Sequence, residues 1–107
     1  LLKHGADVEA KDAGRWPVLY FAAGRGYDGV VQALLENGAN VEVVSPPGER
    51  ALHWAAQNGH VAVVKLLLEH DANIEAKDAR GSTALHFANL CNRDEVAELL
   101  RVEGARL

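Results

Sequence analysis

Shifted by 33 residues, the sequence falls onto itself. Residues 12–44 and 45–77 share 12 identical pairs in 33, and residues 45–77 and 78–107 share 9 in 30. A fixed period of roughly 20–50 residues is the mark of a repeat array, in which each unit leaves an apolar face for its neighbour to cover. Residues 1–11 match residues 34–44 at 6 positions, Gly5 with Gly38 and Ala6 with Ala39 among them. The register therefore predicts one domain over residues 1–107: the end of a preceding unit (1–11), then units 12–44, 45–77 and 78–107, the last slightly truncated. Leu1-Leu2-Lys3-His4-Gly5-Ala6-Asp7-Val8 reads as the tail of a unit, so the expectation is a piece of a longer protein.

Each unit carries two apolar patterns. In the first, Leu19, Leu52 and Leu85 recur, each followed three residues later by Ala22, Ala55 or Ala88, small enough to let the next unit approach. Gly26, Gly59 and Asn92 then share one place, and all three residue types tolerate the left-handed backbone that ends a helix. In the second, Val30, Val31, Leu34 and Leu35 repeat as Val63, Val64, Leu67 and Leu68, then as Val96, Ala97 and Leu100. The i, i+1, i+4, i+5 spacing is an amphipathic helical face. Gly38 and Gly104 close that helix, with Asp71 at the equivalent place. Turn residues cluster at 12–15, 45–48 and 78–81. The spacing predicts an all-helical chain, with helices over 17–24, 28–37, 50–57, 61–70, 83–91 and 94–102 and at most short extended pairing in the turns.

With these patterns the sequence resembles the ankyrin repeat family over its whole length. Ala51-Leu52-His53-Trp54-Ala55-Ala56-Gln57-Asn58-Gly59-His60 is similar to the family's first-helix signature, Val63-Val64-Lys65-Leu66-Leu67-Leu68 to its second helix, and Gly38-Ala39-Asn40-Val41 to its exit. The resemblance implies an all-α solenoid of stacked helix-turn-helix units with projecting β-turn loops. It also implies binding through the concave face of turn tips and first helices, and a signature histidine that ties adjacent units through backbone hydrogen bonds. The Thr-Pro pair the family carries ahead of its signature Leu is replaced by Pro17-Val18 and Arg50-Ala51, and Thr83-Ala84 keeps only the Thr. Thr83 can cap its helix with a side-chain oxygen, whereas Pro17 and Arg50 cannot, a loss of about 1 kcal/mol for each of those helices. Tyr20 stands where the signature histidine would.

Other chemistries fare poorly. With a formal charge of −4 and no aromatic-basic stripe repeated along the units, the chain is not expected to bind nucleic acid. No apolar run approaches the ~20 residues of a membrane helix. The opening residues lack a signal-peptide layout, and the one cysteine, Cys91, has no intrachain partner, so an intracellular setting, cytoplasmic or nuclear, is expected. Gly24-Arg25-Gly26-Tyr27-Asp28-Gly29 spells a dinucleotide-binding motif, but it follows a helix rather than a strand. His53 and His86 have no cysteine or histidine partner at metal-ligand spacing, and Cys91 with His86 lacks a third orienting group. No metal, cofactor, small-molecule substrate or catalytic role is expected.

The resemblance marks the variable face residues. Those selected as partner-binding are Lys11, Trp16, Arg25, Val44, Pro46, Pro47, Glu49, Gln57, Asn58, Lys77, Arg80, Ser82 and Leu90. Lys11, Arg25, Lys77 and Arg80 against Glu49 give this set +3, so the remainder carries −7. Basic flanks would surround an apolar centre of Trp16, Val44, Pro46 and Pro47. Trp16 is the expected hot spot, with folding back onto Pro17 or Pro47 as the alternative. The expected role is a protein-interaction scaffold whose partner offers an acidic segment with an apolar anchor. The alternative is an intramolecular regulatory or spacer segment of a larger multidomain protein.

Overall fold

Each apolar pattern becomes one short helix. The computed structural model describes residues 18–42, 44 and 48–104, and these contain six helices. They are α1 (Val18–Gly24), α2 (Asp28–Glu36), α3 (Ala51–Gln57), α4 (Val61–Glu69), α5 (Ala84–Leu90) and α6 (Asp94–Val102). The helix ends lie within a residue of those expected, apart from the expected start at residue 17, which falls outside the described residues. The fold is all-α. Its only extended pairing among the described residues is an isolated antiparallel bridge between Val44 and Arg50.

The helices are short because each meets the same stop signal. Gly26, Gly59 and Asn92 have positive φ, and the residue after each donates its N–H back across the last turn: Tyr27 to the Ala22 carbonyl, His60 to Ala55, Arg93 to Ala88. This six-to-one bond satisfies a carbonyl that the helix end would otherwise orphan. The second helices close in the same way, Ala39 N–H on Leu34 and Ala72 N–H on Leu67, with Gly38 and Asp71 in the left-handed region.

The starts differ between units. Thr83 Oγ1 accepts from the His86 N–H at 3.3 Å, a side-chain cap. Arg50 has no acceptor to offer; instead its own N–H donates to His53 Nδ1 at 2.9 Å, so the histidine fastens the start of α3 from inside the helix.

The helices form two rows. α1, α3 and α5 pack successively in one, α2, α4 and α6 in the other, and each first helix packs on its own second helix. Ala22, Ala23, Ala55, Ala56 and Ala88 are buried in the first row, their small side chains letting backbones approach. Leu34, Val63, Val64, Leu67, Val96 and Leu100 fill the second. Each fully buried Leu or Val contributes about 1.5–3 kcal/mol. Among the described residues no helix is long and apolar enough to cross a membrane.

Candidate protein-interaction face

The turn ahead of α5 is built on one carboxylate. Asp78 Oδ1 accepts from the Arg80 and Ser82 N–H groups, both at 2.9 Å, while the Asp78 N–H donates to the Ser82 carbonyl and Gly81 N–H to the Asp78 carbonyl. Burial pushes this carboxyl up, but the two backbone N–H groups, with the charge of Arg80, outweigh that and hold it below its ordinary 3.8. An Asp at the turn start thus fixes the loop and leaves Lys77 and Arg80 exposed at its flanks.

A chain of contacts joins this turn to the preceding one. Val44 pairs with Arg50, and the Arg50 guanidinium donates to the Lys77 carbonyl at 3.3 Å. Arg50 Nε also lies 2.9 Å from Glu42 Oε1; the contact is ionic, off the N–H axis rather than a formed hydrogen bond. The other Glu42 oxygen accepts from the Asn73 N–H.

Behind the turns sits the signature histidine. His53 is buried, its Nδ1 accepts from Arg50, and so the proton resides on Nε2, which donates to the Ala76 carbonyl at 2.9 Å. One imidazole therefore caps its own helix and ties it to the approach to the next turn. Tyr20 fills the equivalent place in α1 and reaches further, its hydroxyl donating to Glu49 Oε1 at 2.7 Å. His86, at the same place in α5, is exposed.

The far ends of the first helices carry a second set of ties. Asn58 Nδ2 and His60 Nε2 both donate to the Gly24 carbonyl, at 2.9 and 3.0 Å, and Arg93 Nε donates to the Gln57 carbonyl at 2.9 Å. Trp54 lies on Gly24: a Cβ there would sit 2.1 Å from the indole. Tyr20 and Phe21 complete that cluster, 4.5 and 5.5 Å from Trp54 between ring centroids. Two glycines of the dinucleotide-like motif therefore serve packing, Gly24 under Trp54 and Gly26 under His60, while a Cβ at Gly29 would meet nothing, and the motif joins α1 to α2.

Residues 19–107 match the family model for ankyrin repeats in three copies. The chain belongs to the ankyrin repeat family. A search of curated proteins gives no match. Ankyrin repeats are in general protein–protein interaction modules and typically not enzymes. In this ankyrin domain the expected site residues divide by what they already hold. Lys77, Arg80 and Ser82 share the Asp78 turn. Val44, 47% exposed, and Leu90, 69% exposed, are large apolar side chains left at the surface. Arg25 is exposed, its guanidinium 5.7 Å over the Phe21 ring.

Three others are engaged. Glu49 holds Tyr20, the Asn58 side chain is spent on Gly24, and the Gln57 carbonyl takes Arg93. Lys11, Trp16, Pro46 and Pro47 lie outside the described residues. Sequence reasoning missed Glu42, His60 and Arg93 as ties between units. The signal available for the last two was a donor-bearing side chain recurring 33 residues apart, as His60 and Arg93, directly after the helix-ending Gly59 and Asn92.

Proposed function

We propose that this ankyrin domain binds another protein through the face made by its turn tips and first-helix ends, with Lys77, Arg80, Ser82, Val44 and Leu90 in contact. The observation that carries the reading is the pairing of exposed Lys77 and Arg80 on a turn already immobilised by Asp78. Loop ordering is a cost of association, and a turn held by four hydrogen bonds has met much of it beforehand. Exposed Val44 and Leu90 add apolar surface that an interface can remove from water. The partner best matched to basic flanks and apolar anchoring points is an acidic segment carrying an apolar side chain.

The experiment is a binding series on an acidic peptide with one apolar anchor, selected against this domain from a display library. Arg80→Glu should slow association and reduce its salt dependence, since rim charges act mainly by steering. Trp16→Ala should weaken the complex by at least ~2 kcal/mol if the sequence-based hot spot is part of the same face. Glu98→Lys, an exposed position on α6, is the control and should leave affinity unchanged. Insensitivity to Arg80 and Trp16 with loss at Glu98 would move the site to the second-helix side.

A further inference from the structure

We infer that the aromatic side chains repeated once per unit along the first helices form the floor of the interaction face. On the protein-binding reading above, the partner segment seated on them is a proline-rich stretch in the polyproline II conformation, acidic at both ends. Phe21, Trp54 and Phe87 stand one period apart in α1, α3 and α5. All three are half-buried, whereas Ala22, Ala55 and Ala88, which follow them, are buried. Residues three or four places on lie on the same helical face, and there too the side chains are uncovered: Arg25 after Phe21, Gln57 and Asn58 after Trp54, Leu90 and Cys91 after Phe87. Because α1, α3 and α5 pack side by side, the three strips make one row, with the Phe21 and Trp54 rings 5.5 Å apart between centroids.

The spacing of that row selects the conformation of its occupant. Packed helices lie about 8–10 Å apart. A polyproline II segment turns once in three residues and rises about 3.1 Å per residue, so one of its edges returns every ~9 Å. A β-strand repeats its side chains every ~6.7 Å, and an α-helix turns every ~5.4 Å. Neither keeps step with successive helices. Proline also holds the conformation before binding, so less freedom is lost on association. Its apolar ring covers an aromatic face, the mode by which aromatic-lined grooves hold proline-rich segments.

Charge sets the ends. Arg25 stands at one, its guanidinium over Phe21, and Lys77 and Arg80 flank α5 at the other on the Asp78 turn. In the middle unit Arg50 is already paired with Glu42 at 2.9 Å, and Gln57 and Asn58 are neutral. A nucleic-acid strand brings a phosphate with every base and would find no free cation there among the described residues. A protein segment with acids only at its ends fits better.

The probe is the peptide Glu-Pro-Pro-Ala-Pro-Pro-Ala-Pro-Pro-Glu, compared with a counterpart in which alanine replaces every proline. Calorimetry should show the proline peptide binding about ten-fold or more tightly than its counterpart, and NMR should show its proline ring protons moved upfield by the aromatic rings. Phe87→Leu should remove most of that preference and leave the affinity of the alanine counterpart unchanged, a coupling that a general loss of stability would not produce. The proline shifts are read on the unaltered domain, so they decide the matter even where the variant folds poorly. Equal affinities, or proline protons that stay in place, would overturn the inference. If the Lys77 and Arg80 amides still move with both peptides, the basic face keeps its role and only the conformation assigned to its occupant fails. Tighter binding of an oligothymidylate than of the proline peptide at matched salt would also overturn it, giving the row to a single nucleic-acid strand.

Discussion

The two junctions between successive first helices reach the same burial by different chemistry. Between α1 and α3 the contact is aromatic: Tyr20, Phe21 and Trp54 cluster over Gly24, and two side chains converge on the Gly24 carbonyl. Between α3 and α5 it is polar and spare: His53 reaches the Ala76 carbonyl and stacks near Phe87 at 5.5 Å, Gln57 stands where Gly24 did, and Arg93 alone ties the helix end. A side chain at the Gly24 position is compatible with Phe87 opposite, whereas Trp54 requires its absence. The residues vary in matched sets across a junction, while Leu, Ala and Val positions beneath stay fixed because they serve both neighbours.

Leu67 lies under both junctions and is fully buried, so Leu67→Ala should cost about 2–5 kcal/mol in chemical denaturation. Next in size is His53→Ala, which strands the Arg50 N–H and the Ala76 carbonyl together and should cost about 3 kcal/mol, confined to the second junction. Gly24→Ala should break the first junction by about 1–3 kcal/mol through overpacking against the indole, and adding Trp54→Phe should recover most of that loss, as the Gln57–Phe87 pairing implies. If the double variant is no more stable than Gly24→Ala alone, the matched-set account fails. Lys65→Ala, exposed on α4, should fall within about 0.5 kcal/mol and sets the baseline.

The Asp78 turn adds a comparison with pH. Its carboxyl is held below its ordinary value in the folded chain, so its stabilising contribution is complete above 3.8 and is lost as pH falls toward the lowered folded value. Asp78→Ala should therefore reduce stability at neutral pH and flatten its decline in acid. Denaturation midpoints across the acid range read both effects.

The helical frame was legible because it is written in period and stop signals: the Leu and Val faces have helical spacing, and Gly26, Gly59, Gly38 and Asp71 all take the left-handed backbone their places imply. The double duty of His53 was also accessible, through the family resemblance. What the sequence did not display is how surface side chains divide between holding the stack and facing a partner. Asn58 looked available because its residue type and helix-end position suit a contact, yet its amide bonds the Gly24 carbonyl in the preceding pair. Glu49 looked like a tip residue, and Tyr20, longer than the histidine it replaces, reaches it. Both depend on distances between residues about a period apart, which no local pattern encodes.

The central claim is that the turn and first-helix face, not the second-helix side, receives the partner. Backbone amide chemical-shift mapping with the selected acidic peptide tests it most directly. The account predicts that saturating peptide moves the resonances of Lys77, Arg80, Ser82 and Leu90 and leaves Lys65, Leu68 and Leu99, which line a groove between α4 and α6, in place. Shifts concentrated at Lys65, Leu68 and Leu99, with Arg80 and Leu90 unmoved, would contradict it.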